Sequence, residues 1–314
     1  MAYCFGVDVG GTSIKLGLFF DNGSLIDNWE IPTRKESQGE NIIPDIRDAV
    51  ENKMTEKEII RSEVIGVGVD VPAPVLDEGI VKETANLNWG YKEVKKELEE
   101  ALLIPVVVAN DANAAALGEA WMGGGKGENN LIMITLGTGV GGGIISNGKL
   151  ISGAHGFGGE IGHIHVKDGE LCQCGCGRYG CLEQYASATG ISRLANEHFK
   201  TWNKETKLSE KDLSARAVFD AYKMDDKLAA EIVDEFAGYL VKGMHDLEII
   251  IDPAVFLIGG GVSKAGEVLV DVIEKKFRRN VLFTNENTKI TLATLGNEAG
   301  IYGSAKLVID EFGK

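Results

Sequence analysis

Apolar and polar positions follow two rhythms along the 314 residues. "YCFGVDVG", from Tyr3, and "SIKLGLFF", from Ser13, are short runs rich in β-branched and aromatic residues, and they flank a Gly-Gly turn. That is the pattern of a strand hairpin. "GSLIDNWEI" reads as a third strand. Ile42, Ile46, Val50 and Met54 then recur four apart, which puts them on one face of a helix. "EVIGVGVDV" returns to strand, Val94, Leu98 and Leu102 mark another helix, and "PVVVAN" reads as a buried strand. "DANAAALGEAW" has the composition of a helix capped by Asp111 or Asn110.

The middle of the chain repeats the opening plan. "NLIMITLGTGVGGGIISNGKLI" is strand, glycine turn and strand. A cysteine-rich loop follows, then mostly helical sequence from Leu182 to about Ile251. "AVFLIGGGV" is a strand running into three glycines, "KITLATLG" a late strand, and "NEAGIYGSAKLVIDEF" a terminal helix. "FGVDVGGTSIKLGLF" and "MITLGTGVGGGIIS" share a plan of apolar strand, glycine turn with a threonine, and apolar strand. The repetition suggests a duplicated α/β core with one phosphate-binding turn in each half. No low-complexity linker divides the chain, so domain boundaries are expected in short connections near Asn110 and Gly296.

Composition narrows function more than fold. A formal net charge of -15 opposes a nucleic-acid footprint, which needs basic patches. The first residues lack a basic region and reach Asp8 before any apolar run long enough for export. "LIMITLGTGVGGGII" is shorter than the ~20 residues a spanning helix needs. A cytoplasmic, reducing location with no membrane partner is expected, and it weakens a disulfide reading of the cysteines.

Glycine turns let backbone N–H groups approach an anion, because no Cβ intervenes. "DVGGTSIK" adds the Asp8 carboxylate, where a magnesium–phosphate complex could use it, and "LGTGVGGG" adds the Thr138 hydroxyl. Neither turn leads into a helix as the dinucleotide fingerprint requires, and neither ends in a Walker lysine. Either hairpin alone could be an ordinary tight turn. Two of them, with "IGGGV" at Ile258–Val262, favour anion binding.

"GHIHVKDGELCQCGCGRYGCLE", Gly162 to Glu183, holds four of the five cysteines and two histidines. Cys174, Cys176 and Cys181 with an imidazole fill a tetrahedral zinc shell, and a shell without a vacancy indicates a structural metal. The C-x-x-C spacing of redox motifs is absent. Cys172 is either a spare thiol or a competing ligand. Cys4 reads as a small apolar core residue.

The three glycine stretches resemble the phosphate-1, phosphate-2 and adenosine motifs of the actin-like, sugar kinase and heat-shock chaperone superfamily. Within it, "NDANAAALGE", "GGEIGHI" and the cysteine loop are similar to the ROK family (repressors, open reading frames and kinases), its bacterial glucokinases above all. The resemblance runs from Gly6 to Ala305 with the motifs in family order. It implies an α/β, actin-like ATPase (ribonuclease H-like) duplicated fold, with two lobes around a central cleft. Residues 1–109 plus 297–314 would form the small lobe. Residues 110–296 would form the large lobe, with the zinc loop and a dimerisation surface.

By the same resemblance, Asp8, Gly10, Gly11, Thr12 and Lys15 line the first phosphate loop, with Asp8 near magnesium. Gly137, Thr138 and Gly139 form the second, and Gly259, Gly260 and Gly261 pass beneath the adenosine. Asn110 and Asp111 match the family's sugar-binding Asn and catalytic Asp. Glu160, His163 and Glu183 match residues that bind sugar hydroxyls, and Asn86, in "TANLNW", matches a sugar-proximal stretch. The family pattern selects His163 rather than His165 as the fourth zinc ligand. His163 would bind zinc through one ring nitrogen and donate to a sugar hydroxyl from the other. One departure is "VPAPV", with Ala73 where the family usually has glycine.

The implied activity is phosphorylation of glucose to glucose 6-phosphate by ATP and Mg2+, with Asp111 as general base and Zn2+ shaping the sugar site. Alternatives are a kinase for N-acetylmannosamine, fructose or allose, and a non-catalytic sugar-binding regulator. The family's repressors carry an additional N-terminal helix-turn-helix, and Asp8 comes too early to leave room for one. The implied partners are a hexose and ATP, in a homodimer or a dimer of dimers.

Overall fold

The computed structural model describes residues 2–84, 86–279, 281 and 287–313, so Ala85 of the "TANLNW" stretch lies outside the described residues. β1 (Tyr3–Val9) and β2 (Ser13–Phe20) pair antiparallel around the Gly-Gly turn, and β3 (Leu25–Pro32) pairs antiparallel with β2. β4 (Val64–Val71) lies parallel to β1 on its other side. After a short ribbon of β5 (Ile80–Val81) and β6 (Lys92–Glu93), β7 (Val106–Asn110) pairs parallel with β4. The sheet order is β3-β2-β1-β4-β7.

β8 (Leu131–Leu136), β9 (Val140–Ser146), β10 (Lys149–Leu150), β11 (Val255–Gly259) and β12 (Lys289–Leu292) build a second sheet in the order β10-β9-β8-β11-β12. Here too an antiparallel glycine hairpin, β8–β9, is followed by parallel strands. The repeat read from the two hairpins is thus a repeat of whole sheets. The buried strand expected at "PVVVAN" is only half covered at Val107 and Val108, because β7 is the edge of its sheet.

Side chains alternate between the faces of a strand, and the first sheet uses both. Phe5, Val7 and Val9 join Ile42, Ile46 and Val50 in the larger core. Those three isoleucine and valine positions come from α2 (Ile42–Glu56), which follows a single distorted turn, α1 (Glu36–Gly39). α3 (Val94–Leu102) adds Val94, Leu98 and Leu102 to the same core. Each such buried side chain contributes roughly 1.5–3 kcal/mol.

On the other face, Cys4 and Phe19 pack with Ile301, Ala305 and Val308. These last three come from the chain's final described helix, named below. Ahead of it are α4 (Asp111–Met122), α5 (Glu183–Ala186), α6 (Ala188–Thr201), α7 (Ala215–Tyr222), α8 (Lys227–Ile251) and α9 (Glu267–Phe277). The final helix is α10 (Ala299–Phe312). A Cβ on Gly68 would lie 1.8 Å from the Ser304 carbonyl oxygen, so α10 rests its backbone directly on the sheet. A Cβ on Gly303 would lie 1.7 Å from the Ala114 carbonyl oxygen, so α4 and α10 touch backbone to backbone.

The chain divides into two compact units, Met1–Gly127 with Leu150–Gly158 and Leu295–Lys314, and Glu128–Lys149 with Gly159–Thr294. The division expected at residue 110 therefore moves toward Gly127. The Gly303–Ala114 contact commits α4 to the first unit, and residues 150–158 also return to it. The second crossing, at Leu295, falls close to the expected Gly296–Asn297 boundary.

Candidate functional site

In the first unit, strand register lines up three charged side chains. Asp8 stands opposite Lys15 on β2 and opposite Asp70 on β4. Lys15 Nζ lies 3.2 Å from Asp8 Oδ2, and both side chains are partly exposed. Asp70, which sequence reasoning missed, is completely buried. Ser304 Oγ donates to its Oδ2 at 2.8 Å. Its Oδ1 is buried without a hydrogen-bond partner among the described residues. A Cβ on Gly300 would lie 2.9 Å from Asp8 Cγ and 3.0 Å from Asp70 Oδ2, so only glycine leaves room for both carboxyl groups.

Burial, and then the charges of Asp8 and Asp111, hold the Asp70 carboxyl well above the ordinary carboxylate range. The folded chain therefore binds a proton there that the unfolded chain releases. That stability is present in full below about pH 4 and declines as pH rises toward the folded-state pKa, by about 1.4 kcal/mol per unit of elevation. Asp70→Asn keeps an oxygen for Ser304 and removes the ionisation. We expect it to unfold at a higher temperature than the parent at pH 7 and to lose that advantage near pH 4, by differential scanning fluorimetry without magnesium. A lower melting temperature at pH 7 would contradict the assignment.

Asn110 decides the capping question, because its Oδ1 accepts from Ala112 N at 3.0 Å and from Asn113 N at 3.1 Å. Its Nδ2 donates to the Ala73 carbonyl at 3.2 Å and to Asp111 Oδ1 at 3.0 Å. Asp111 Oδ1 also accepts from Ala112 N at 2.8 Å, and the residue is exposed at the start of α4. Ala73, the departure from the family pattern, is buried, and its backbone carbonyl is the acceptor for Asn110. The turn containing the exposed Asn86 is closed by Thr84 N to Trp89 O at 2.9 Å, and it lies against the first glycine turn, 3.3 Å from a Cβ built on Gly11. That glycine turn is held by Thr33 Oγ1 to Gly10 O at 2.7 Å, leaving Thr12 exposed.

In the second unit, the Gly137–Gly139 turn and the loop after β11 line one cavity of about 680 Å3. Thr138 reaches it from the first and Gly261 from the second, whose bend is fixed by Ser263 Oγ to Gly260 O at 2.7 Å. Gly259 ends β11 and packs on Met133. The remaining wall comes from α6 and α7 and includes Thr189, Ser214, Arg216 and Phe219, none of which sequence reasoning singled out. No local pattern marks them, since they share the cavity only through helix packing.

The His163, Cys174, Cys176 and Cys181 ligand atoms all lie within 4.8 Å of one another. Cys176 Sγ and Cys181 Sγ are 3.6 Å apart, and Cys174 Sγ is 3.8 Å from His163 Nδ1. Tetrahedral bonds of ~2.3 Å to zinc require sulfur–sulfur separations of about 3.8 Å, so the four residues fit that ion. A disulfide does not fit this spacing. Burial, then hydrogen bonding with Cys176 and Cys174, pushes the Cys181 thiol up to about 12.

His163 Nε2 points toward Glu160, 3.9 Å from its Oε2. His165 is engaged elsewhere, with Tyr179 O at 3.0 Å and Asp168 Oδ1 at 2.9 Å, and Cys172 is exposed outside the cluster. Cys172 matters through its backbone, which bonds to Glu170 and Gln184. Cys4 is fully buried, as read from the sequence.

Among the described residues, no helix is long and apolar enough to cross a membrane. Comparison with known proteins places this geometry among relatives. The sequence profile of the ROK family matches residues 4–311. A glucokinase of Halalkalibacterium halodurans is 43% identical over 310 residues, covering 96% of this chain and 94% of that protein. The crystal structure of a ROK hexokinase from Thermus thermophilus superposes with a TM-score of 0.82 at 32% identity, covering 96% of each chain. A ROK family glucokinase from Streptomyces griseus, in complex with glucose and AMPPNP, gives a TM-score of 0.76 at 34% identity, covering 98% of this chain and 99% of that one.

Proposed function

From the premise that this chain belongs to the ROK family and is a sugar kinase most like the bacterial glucokinases, we propose that it phosphorylates glucose at its 6-hydroxyl with ATP. The observation that carries the reading is the second-unit cavity, which two glycine loops far apart in sequence both line, through Thr138 and through Gly261. The adenosine occupies that cavity above Gly259, Gly260 and Gly261. Thr138 and Gly139 receive phosphate oxygens on backbone N–H groups, and Gly11 and Thr12 do the same in the first unit, while the Gly137 and Gly10 N–H groups close their turns by donating to Gly139 O and Ser13 O.

Asp8, with Lys15 beside it, is the group that a magnesium–nucleotide complex would use. The bound Mg2+ would neutralise charge on the phosphates, and Lys15 adds a second cation to the same purpose. Asp111 accepts the proton of the attacking hydroxyl late in the transfer. Its orientation comes from Asn110 Nδ2 and the Ala112 N–H, which fix one carboxylate oxygen. Asn86, Asn110, Glu160, His163 and Glu183 bind sugar hydroxyls. His163, Cys174, Cys176 and Cys181 hold a structural Zn2+, whose chemistry is confined to fixing the loop, because four protein ligands fill its shell.

A coupled ADP-release assay with ATP and magnesium across a hexose panel tests this reading. Glucose should give the highest kcat/KM, by at least about tenfold over N-acetylmannosamine, fructose and allose. A different sugar at the top would remove glucose and keep the kinase. No sugar-dependent ADP release would remove both.

A further inference from the structure

Glu183 has a second set of partners besides any sugar. Its Oε2 accepts from Val140 N–H at 3.2 Å, where the Gly137–Gly139 turn enters β9. Its Oε1 is 3.6 Å from the Cys174 thiol, one of the four metal-ligand candidates. A Cβ on Gly139 would fall 2.1 Å from Oε2, so the carboxylate occupies the space that only glycine leaves. The same turn is held from its other end by Ala188 N to Gly137 O at 2.8 Å. Glu183 begins α5, and Ser187 follows α5 and caps α6 through Gly190 N at 2.9 Å. The cysteine loop, α5 and the start of α6 therefore form one short run that grips the turn at two points. A hollow of about 350 Å3, lined by Thr138, Gly139, Cys174 and Glu183, marks where the two loops meet.

We propose that Glu183 is a positioning residue for the nucleotide-phosphate turn, and that through it the cysteine cluster sets affinity for nucleotide as well as for sugar. This rests on the reading of residues 137–139 as a phosphate loop. By accepting from Val140 N–H the carboxylate holds the end of the turn in place, and the phosphate contacts of the turn depend on where its backbone lies. If the metal is lost, Cys181, two residues before Glu183, is released, the start of α5 loses its tether, and the turn relaxes together with the sugar contacts of His163 and Glu183.

The test is binding of Mg–ADP by calorimetry in the absence of sugar, which needs no turnover. Zinc-loaded parent protein should bind it. Protein stripped of metal, and zinc-loaded Glu183→Ala, should each bind it about tenfold more weakly. Stripping the Glu183→Ala variant should add no further loss, and Glu183→Gln should recover most of the affinity, because its amide oxygen can still accept from Val140 N–H. Should the stripped protein unfold, the two loaded variants carry the comparison alone. Unchanged ADP affinity in loaded Glu183→Ala, or in folded stripped protein, overturns the proposal while leaving the kinase reading intact. No ADP binding by loaded parent protein would instead overturn the phosphate-loop reading, and this proposal with it.

Discussion

Asp111→Asn will lower glucose-dependent ADP release by about 10²–10⁴-fold while leaving the fold and the melting temperature close to those of the parent. The structure separates the two consequences. The helix cap is Asn110, whose Oδ1 serves the first N–H groups of α4, so the substitution leaves capping in place. The Asp111 Oδ1 contacts to Ala112 N and Asn110 Nδ2 are those of an acceptor, which an amide oxygen reproduces. What disappears is the ability to take up a proton. In a loose phosphoryl-transfer transition state much of the catalysis is positioning, so some turnover survives. Glucose KM should move far less than kcat. Turnover within tenfold of the parent would remove Asp111 from the role of base.

Cys176→Ser should abolish stable zinc binding and, with it, the order of the loop from His163 to Glu183. Cys176 is exposed, so a serine there removes almost no packing. Any loss of stability then reports the missing ligand. Structural zinc sites in small peptides are worth on the order of 10 kcal/mol of folding free energy. In a chain with two sheeted units only the local part is at stake, and we expect a fall in melting temperature of at least about 5 °C. Zinc per chain, by atomic absorption, should fall from one toward zero, and glucose KM should rise. Cys172→Ser, outside the cluster, should change none of these. Full zinc occupancy in Cys176→Ser would exclude it as a ligand.

Much of the fold was legible because hydrophobic rhythm survives burial. The α2 stripe of Ile42, Ile46, Val50 and Met54 is buried as its spacing requires, and both glycine hairpins fall where the apolar runs break. The grouping of His163, Cys174, Cys176 and Cys181 was legible because the four are close in sequence, except that choosing His163 over His165 rested on family pattern. Asp70 was not. It sits in "VGVDV", where strand rhythm predicts an apolar side chain, and its signal was the anomaly of a charge in a strand otherwise buried almost throughout. The cavity wall from α6 and α7 was illegible for a different reason, since ordinary residues such as Thr189 and Ser214 acquire meaning only from helix packing. The unit boundary was misplaced because a backbone contact such as Gly303 on Ala114 leaves no periodic trace.

The seating of α10 on the first sheet has a consequence for the order in which the chain is made. Residues 299–312 leave the ribosome after nearly everything else described here, yet they cover Cys4 and Phe19 and bring Ser304 to Asp70. Synthesis runs at roughly 5–20 residues per second, and domains tend to fold as they emerge. The second unit can complete its sheet once β12 is out, while one face of the first sheet, begun earliest, stays open to water until α10 arrives. The first unit is begun before the second and closes after it, and until α10 arrives Cys4 and Phe19 lack the apolar cover that Ile301, Ala305 and Val308 give them.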